Sequence, residues 1–254
     1  MNYGRKHLYK KYINMAIKIG NTDISAFKVG SGDCKIYIGD TLLYPTTPSF
    51  DGKWLATYSD SHTESAACNS TSAITQNEIN ILNLVSVEIG QCVTSIGQSA
   101  FAYCDTLTSV DIPNIVTSIG GSAFYNCSGL TSIDIPNNVT SIGGSAFRFC
   151  RSLTSCTIGS GVTSIGSSAF NYCTSLPSIT IPSGVTVIYS YAFSNCSSLT
   201  SITCNAVNPP TLGSMTGVFD DTNECPIYVP AGSVSAYKAA YGWSTYANRI
   251  QAIP

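Results

Sequence analysis

Five cysteines recur at every twenty-third position: Cys104, Cys127, Cys150, Cys173 and Cys196. Phe101, Phe124, Phe147, Phe170 and Phe193 keep the same step, as do Leu107, Leu130, Leu153, Leu176 and Leu199. Val93-Thr94-Ser95-Ile96-Gly97 recurs as Val116 to Gly120, Val139 to Gly143 and Val162 to Gly166, then as Val185-Thr186-Val187-Ile188-Tyr189. A unit this short cannot bury its own apolar residues. It must stack on its neighbours, which makes the chain a solenoid.

Within the first unit the apolar positions are Val93, Ile96, Ala100, Phe101, Cys104, Leu107, Val110 and Ile112. The last three have the L-x-x-L-x-L spacing of a repeat strand. The same places hold Leu130/Ile133/Ile135, Leu153/Cys156/Ile158, Leu176/Ile179/Ile181 and Leu199/Ile202/Cys204. Cysteine thus stands in for leucine or isoleucine, as a small hydrophobe can. The β-branched Val-Thr-Ser-Ile run predicts a second short strand on the opposite wall, and Ala-Phe-x-x-Cys a tight turn whose Phe fills the rung. Pro113, Pro136 and Pro182 end the longer, concave strand. Rungs are expected about 4.8 Å apart, as in any sheet. The cysteines of the column, side by side with non-converging Cβ vectors, are expected to be reduced and buried.

Ile-Gly-x-x-Ala-Phe-x-x-Cys-x-x-Leu-Thr-Ser-Ile-x-Ile-Pro resembles the BspA-type (Treponema pallidum-type) leucine-rich repeat, from Val93 to Cys204. A degenerate copy precedes it. Leu84, Val87 and Ile89 lie a full repeat before Leu107, Val110 and Ile112, and Ile74 and Ile79 lie one position short of a repeat before Ile96 and Phe101. That copy lacks the turn cysteine and carries Glu78 and Asn80, as an end cap would. The resemblance implies a microbial binding and adhesion module, and the family supplies no catalytic residues to carry over.

The expected fold is therefore a β-rich solenoid of leucine-rich repeats: five regular rungs, a degenerate N-terminal cap, a small N-terminal β-module and a C-terminal strand-helix cap. Residues 1–14 form a basic tail, 15–47 a β attachment module, 48–91 a linker and capping repeat, 92–204 the array and 205–254 the C-terminal cap. In the module, Ala16-Ile17-Lys18-Ile19 and Ala26-Phe27-Lys28-Val29 alternate partly. Lys35 to Pro45 suggests a hairpin turning at Gly39-Asp40. That segment is similar to a short β-module at the start of many tailed-phage structural proteins, which implies attachment to other virion proteins. Thr46-Thr47-Pro48 reads as a stiff break. Past Cys204 the period stops, Asn208-Pro209-Pro210 breaks the chain and Gly213 to Glu224 reads as loop. Ile227 to Pro230 reads as a strand, and Ser233 as the N-cap of a helix from Val234 to Tyr241 that stops at Gly242.

The surface is unusual. Charged residues are 10% of the 254, against about 25% in an ordinary soluble domain. In their place stand 36 Ser and 26 Thr. A net charge of −2 provides no bulk field for nucleic acid or anionic membrane. No stretch is long enough to insert in a membrane. Lys18 and Asn14 interrupt any apolar core of a Sec signal after the basic start. Two His argue against His-based catalysis or a zinc site. No CxxC pair and no P-loop lysine occur, so no cofactor is expected. Asp60-Ser61-His62-Thr63-Glu64 groups triad residue types, but neighbours in sequence do not make a triad, and it reads as a polar loop. Asp111 and Asp134 would offer a Ca²⁺ ion two carboxylates only, because Thr157 follows. A solvated face is the better reading.

Recognition is what remains. The outward residues of the concave strand start with Ser109, Asp111, Ser132, Asp134, Ser155 and Thr157, and the turns display Tyr103, Tyr125, Phe149 and Tyr172. These ten are the candidate ligand-binding residues; no catalytic or metal residue is assigned. A polar, nearly uncharged lattice edged by aromatics suits a host glycan or protein. The competing reading is a plain soluble β-surface with tyrosines packed along a ridge. The leading expectation is a non-enzymatic binding protein of a phage virion, attached through residues 15–47. The alternative is a BspA-like adhesin on a bacterial cell surface. A remote third, an ice-binding or purely structural repeat, rests on the Thr column at 94, 117, 140, 163 and 186. Homo-oligomerisation stays open.

Overall fold

The computed structural model describes residues 83–213 and 217–254, together with the strands at 37–38, 41–42, 54–58, 63–66 and 73–74. The expectations for residues 1–14, 16–19, 26–29, 46–48, 60–62, Glu78 and Asn80 lie outside the described residues. The chain divides into two compact units, Met1–Ser49 and Phe50–Pro254. In the first, Tyr37–Ile38 pairs antiparallel with Thr41–Leu42, which leaves Gly39-Asp40 as the two-residue connection.

The second unit is the solenoid. One wall is a seven-stranded parallel sheet of two-residue strands, Ala73–Ile74, Ser95–Ile96, Ser118–Ile119, Ser141–Ile142, Ser164–Ile165, Val187–Ile188 and Thr211–Leu212. Ile74 pairs with Ile96 and Val87 with Val110, so the degenerate copy is the first rung. The opposite wall carries the longer strands Leu84–Ile89, Ser109–Asp111, Ser132–Ile135, Ser155–Ile158, Ser178–Ile181 and Ser201–Cys204. Along it the main-chain amides of Thr131, Thr154 and Thr200 donate back one rung, to Thr108, Thr131 and Pro177. The long wall is interrupted twice, between Asp111 and Ser132 and between Ile158 and Ser178, and at the second break Pro177 has no amide to donate to Thr154.

Between the walls Phe101, Phe124, Phe147, Phe170 and Phe193 are fully buried. Their rings stack nearly parallel at 5.1, 5.2, 5.2 and 5.3 Å, one per rung. The column cysteines are free and buried. Each of the last four directs its thiol at a Phe carbonyl of the preceding rung, as in Cys127 Sγ to Phe101 O at 3.1 Å. Each of these carbonyls also accepts the main-chain amide of the cysteine in its own rung, so the thiol is its second donor. Outside the column, Cys92 is disulfide-bonded.

The rungs come so close that one column is glycine in four successive repeats, Gly97, Gly120, Gly143 and Gly166. A Cβ on Gly143 would stand 2.5 Å from the Gly120 carbonyl carbon and the Gly121 nitrogen, whereas at Gly144 the nearest atom is 3.4 Å away. The fifth rung accommodates Tyr189 in this slot, so a shift can relieve the clash. We expect Gly143→Ala to cost about 1–3 kcal/mol in urea unfolding and Gly144→Ala to stay within about 0.5 kcal/mol. Equal effects would show that backbone approach does not set the column.

Both ends depart from the sequence reading. At the N-terminal end Trp54–Tyr58 pairs antiparallel with both Thr63–Ala66 and Leu84–Ile89. Thr63 and Glu64 are therefore strand, not loop, and a hairpin covers the edge that the first rung would otherwise expose. At the other end the ladder does not stop at Cys204. Thr211–Leu212 continues the short wall, and Phe219 adds a ring to the stack, 5.7 Å from Phe193. Phe219 falls later in the chain than one repeat after Phe193, and the extra residues hide this rung from a search at a fixed period. Ile227–Val229 and Ile250–Ala252 then extend the long wall, with Ile227 opposite Ile250, back on the spacing of the array.

The cap closes with polar tips satisfied. Trp243 is buried over Phe219 and donates its indole N–H to Pro210 O at 2.7 Å. The Tyr237 hydroxyl donates to Ala206 O at 2.7 Å. Arg249, 8% exposed, donates to Cys225 O, Phe219 O and the Thr222 hydroxyl. The helix is shorter than expected, Val234–Ala239, because Ala240 is extended (ψ 143°) and Gly242 takes φ +79°. Ser233 stands at its N-cap without a side-chain hydrogen bond.

Candidate binding surfaces

Within each paired segment of the long wall the strand candidates stand in register. Ser86 lies opposite Ser109, Glu88 opposite Asp111, Ser132 opposite Ser155 and Asp134 opposite Thr157. Ser109, Asp111, Ser132, Asp134, Ser155 and Thr157 are all exposed. Glu88 was missed as a surface candidate, although its place one repeat before Asp111 marks it. The wall is thus bipartite: Glu88, Asp111 and Asp134 make an acidic half, and Thr157, Thr180 and Thr203 a hydroxyl half. A hollow of about 330 Å³ lies over the acidic half, lined by Ser86, Glu88, Ser109, Asp111 and Asp134 among others. Among the described residues no group of three or more His, Cys, Asp and Glu is placed to hold a metal ion.

The Thr column of the short wall is occupied. Thr117, Thr140, Thr163 and Thr186 each donate the hydroxyl to the carbonyl of the Thr one rung earlier, at 3.0 to 3.2 Å. Those hydroxyl protons are spent on rung stacking, which leaves only lone pairs for an outside ligand.

The turn candidates come together as one file. Ring centroids lie 5.3 Å apart for Tyr103 and Tyr125, 5.6 Å for Tyr125 and Phe149, and 5.0 Å for Phe149 and Tyr172. The first two contacts are edge-to-face at 64° and 87°, and the third is tilted at 31°. Tyr103 is 60% exposed, Tyr125, Phe149 and Tyr172 half-buried. The Arg148 and Arg151 guanidiniums lie 4.7 and 5.3 Å from the Phe149 ring centroid. The file runs along the turns and the strand columns along the long wall, so the ten candidates make two surfaces. Tyr189 and Tyr191, 47% and 44% exposed, are two further surface aromatics that repeat spacing did not reveal, because they replace a glycine and a serine.

The two parallel walls, the phenylalanine stack and the repeat strands define a leucine-rich repeat solenoid. The chain belongs to the BspA type Leucine rich repeat region family, whose model matches six copies over residues 72–200. Among solved structures it is similar to the leucine-rich repeat protein of T. pallidum, at 26% identity and TM-score 0.42 over 59% of this chain and 65% of that one. It is also similar to a leucine-rich cell surface protein of Faecalibacterium prausnitzii (23%, TM-score 0.41, 73% and 71% covered). A leucine-rich repeat protein of Bacteroides ovatus follows (20%, TM-score 0.40, 71% and 62%). This chain spans about two thirds of the treponemal protein's length. No curated protein matches it in sequence.

Proposed function

We propose that this chain is a non-enzymatic binding protein whose array presents a recognition surface for a host-surface glycan or protein, displayed on a bacterial cell. The observation that carries the reading is the file of four aromatic rings on the outside of a solenoid otherwise covered in hydroxyls. The nucleophiles that the array does contain point away from catalysis. Burial pushes the Cys150 thiol up to about 12 and raises those of Cys127 and Cys173, the reverse of an activated thiolate. Family membership supports adhesion, and the disulfide at Cys92 suits an oxidising exterior.

A second reading, a virion component held by residues 15–47, is favoured by the hairpin at Tyr37–Leu42 within the phage-like segment. The test compares the full chain with one beginning at Phe50, on immobilised host-surface glycans and proteins and in cell-surface and virion fractions. Saturable binding by both chains is the expected result. Absence of saturable binding to any such surface would overturn the recognition reading. Co-purification of the full chain alone with phage particles would replace the cell-surface setting by the virion.

A further inference from the structure

We infer that the ridge Tyr103–Tyr125–Phe149–Tyr172, with Arg148 and Arg151 at its centre, is a binding site for an extended carboxylate-bearing glycan. The inference rests on the recognition reading above and narrows it to one surface and one ligand class.

The first argument is backbone strain. The second residue after each core Phe is in the left-handed region: Tyr103 at φ 67°, Asn126 at 57°, Phe149 at 64°, Tyr172 at 62° and Asn195 at 59°. Asn tolerates that region far better than a bulky aromatic does. Two rungs use the comfortable residue and three hold an aromatic instead. Such strain concentrates where function requires it. In the second rung, where Asn126 takes the slot, the neighbouring Tyr125 supplies the ring, so the file has no gap.

The second argument is unspent charge. Arg148 and Arg151 are the only cations between Val93 and Cys204, and both sit over the middle of the file. Arg148 Nε is buried with no hydrogen-bond partner. That nitrogen is closed to solvent, so a carboxylate on the ridge would be taken by the terminal N–H groups of the guanidinium, which pair with its two oxygens. The nearest acid in the turn series, Asp105, stands two rungs away from Arg151 in the equivalent position.

The third argument is shape. The ridge is one ring wide and repeats once per rung, at a step close to that of an extended pyranose chain. Edge-to-face packing leaves successive rings turned differently, so that C–H faces of successive sugars find π faces along the line. A protein partner would need a broader apolar area than a single file offers.

The test uses the full chain and four probes: hyaluronan for uronate, polysialic acid for sialate, and dextran and galactomannan as neutral controls. Binding to at least one acidic polymer is expected, weakening as salt is raised. Arg148→Gln with Arg151→Gln should lower it about tenfold or more. Phe149→Asn puts into the slot the residue already found at 126 and 195. It should keep or raise the melting temperature while abolishing binding, an outcome that loss of folding cannot imitate. Equal binding of neutral polymers, unaffected by the Arg replacements, would overturn the acidic-glycan inference and leave the recognition reading standing. Binding of no glycan, with saturable binding to a host protein, would overturn it as well. Failure on every surface would end both.

Discussion

Phe147→Ala will destabilise the solenoid by about 3–5 kcal/mol, the range for emptying a fully buried aromatic site. Phe147 is 0% exposed, and its ring packs at 5.2 Å against Phe124 on one side and Phe170 on the other. Neither neighbour can fill the space, because each is held by its own rung and by the main-chain bond from Phe147 N–H to Ala169 O at 2.7 Å and its equivalents. A linear array adds a second consequence. Stability is a sum of rung and nearest-neighbour terms, so weakening both interfaces of a central rung uncouples the halves. Urea unfolding should then lose its single transition, and hydrogen exchange should show protection divided near residue 147. An exposed replacement such as Ser155→Ala should stay within about 0.5 kcal/mol. Wild-type stability in Phe147→Ala would be incompatible with a stacked core.

Alkaline pH will unfold the array under reducing conditions, and the cysteine column will set the steepness. Burial is the main reason that Cys127, Cys150 and Cys173 have raised pKa values, with Cys150 near 12. Neighbouring thiols in the column add to the effect for Cys127 and Cys173. The direction follows from proton counting. Between the unfolded value of 9.0 and the folded one, the folded chain holds a proton that the unfolded chain has released. Stability is therefore complete below about pH 9 and falls as pH rises through the folded value. Cys150 contributes about 1.4 kcal/mol per pH unit in that window, and Cys127 and Cys173 act in the same direction. Tyr246, pushed up to about 12 chiefly by burial, acts in the same direction at the cap. The discriminating measurement is the melting temperature from pH 7 to 10.5 for wild type and Cys150→Ala. The variant should begin lower and fall less steeply, by about one proton. Parallel curves would mean that the thiol ionises in the folded state.

Much of this architecture is legible without coordinates because a solenoid writes its contacts as a period. In-register stacking places each residue over its equivalent in the next repeat, as Ser132 over Ser155 and Ile142 over Ile165. The phenylalanine stack, the cysteine column, both walls and the first long strand at Val87 follow from that one spacing, as do Phe149 and Tyr172 in the aromatic file, whereas Tyr125 stands one position off it. The antiparallel pairing of Tyr37–Ile38 with Thr41–Leu42 is legible from the Gly and Asp that separate the two strands in sequence.

The ends and the special contacts obey no period, and only the tertiary structure decides them. Trp54–Tyr58 joins the long wall antiparallel, a pairing with no counterpart among the described rungs of the repeat ladder. The last rungs become visible only when Phe219 arrives over Phe193 despite extra residues, with Arg249 holding the intervening turn by three single-use hydrogen bonds. The same is true of the strained slots at Tyr103, Phe149 and Tyr172 and of the two guanidiniums over Phe149. A repeated interaction leaves one copy of itself in every unit of the sequence. A cap or a binding site is made once, by side chains whose meeting depends on the path of the folded chain.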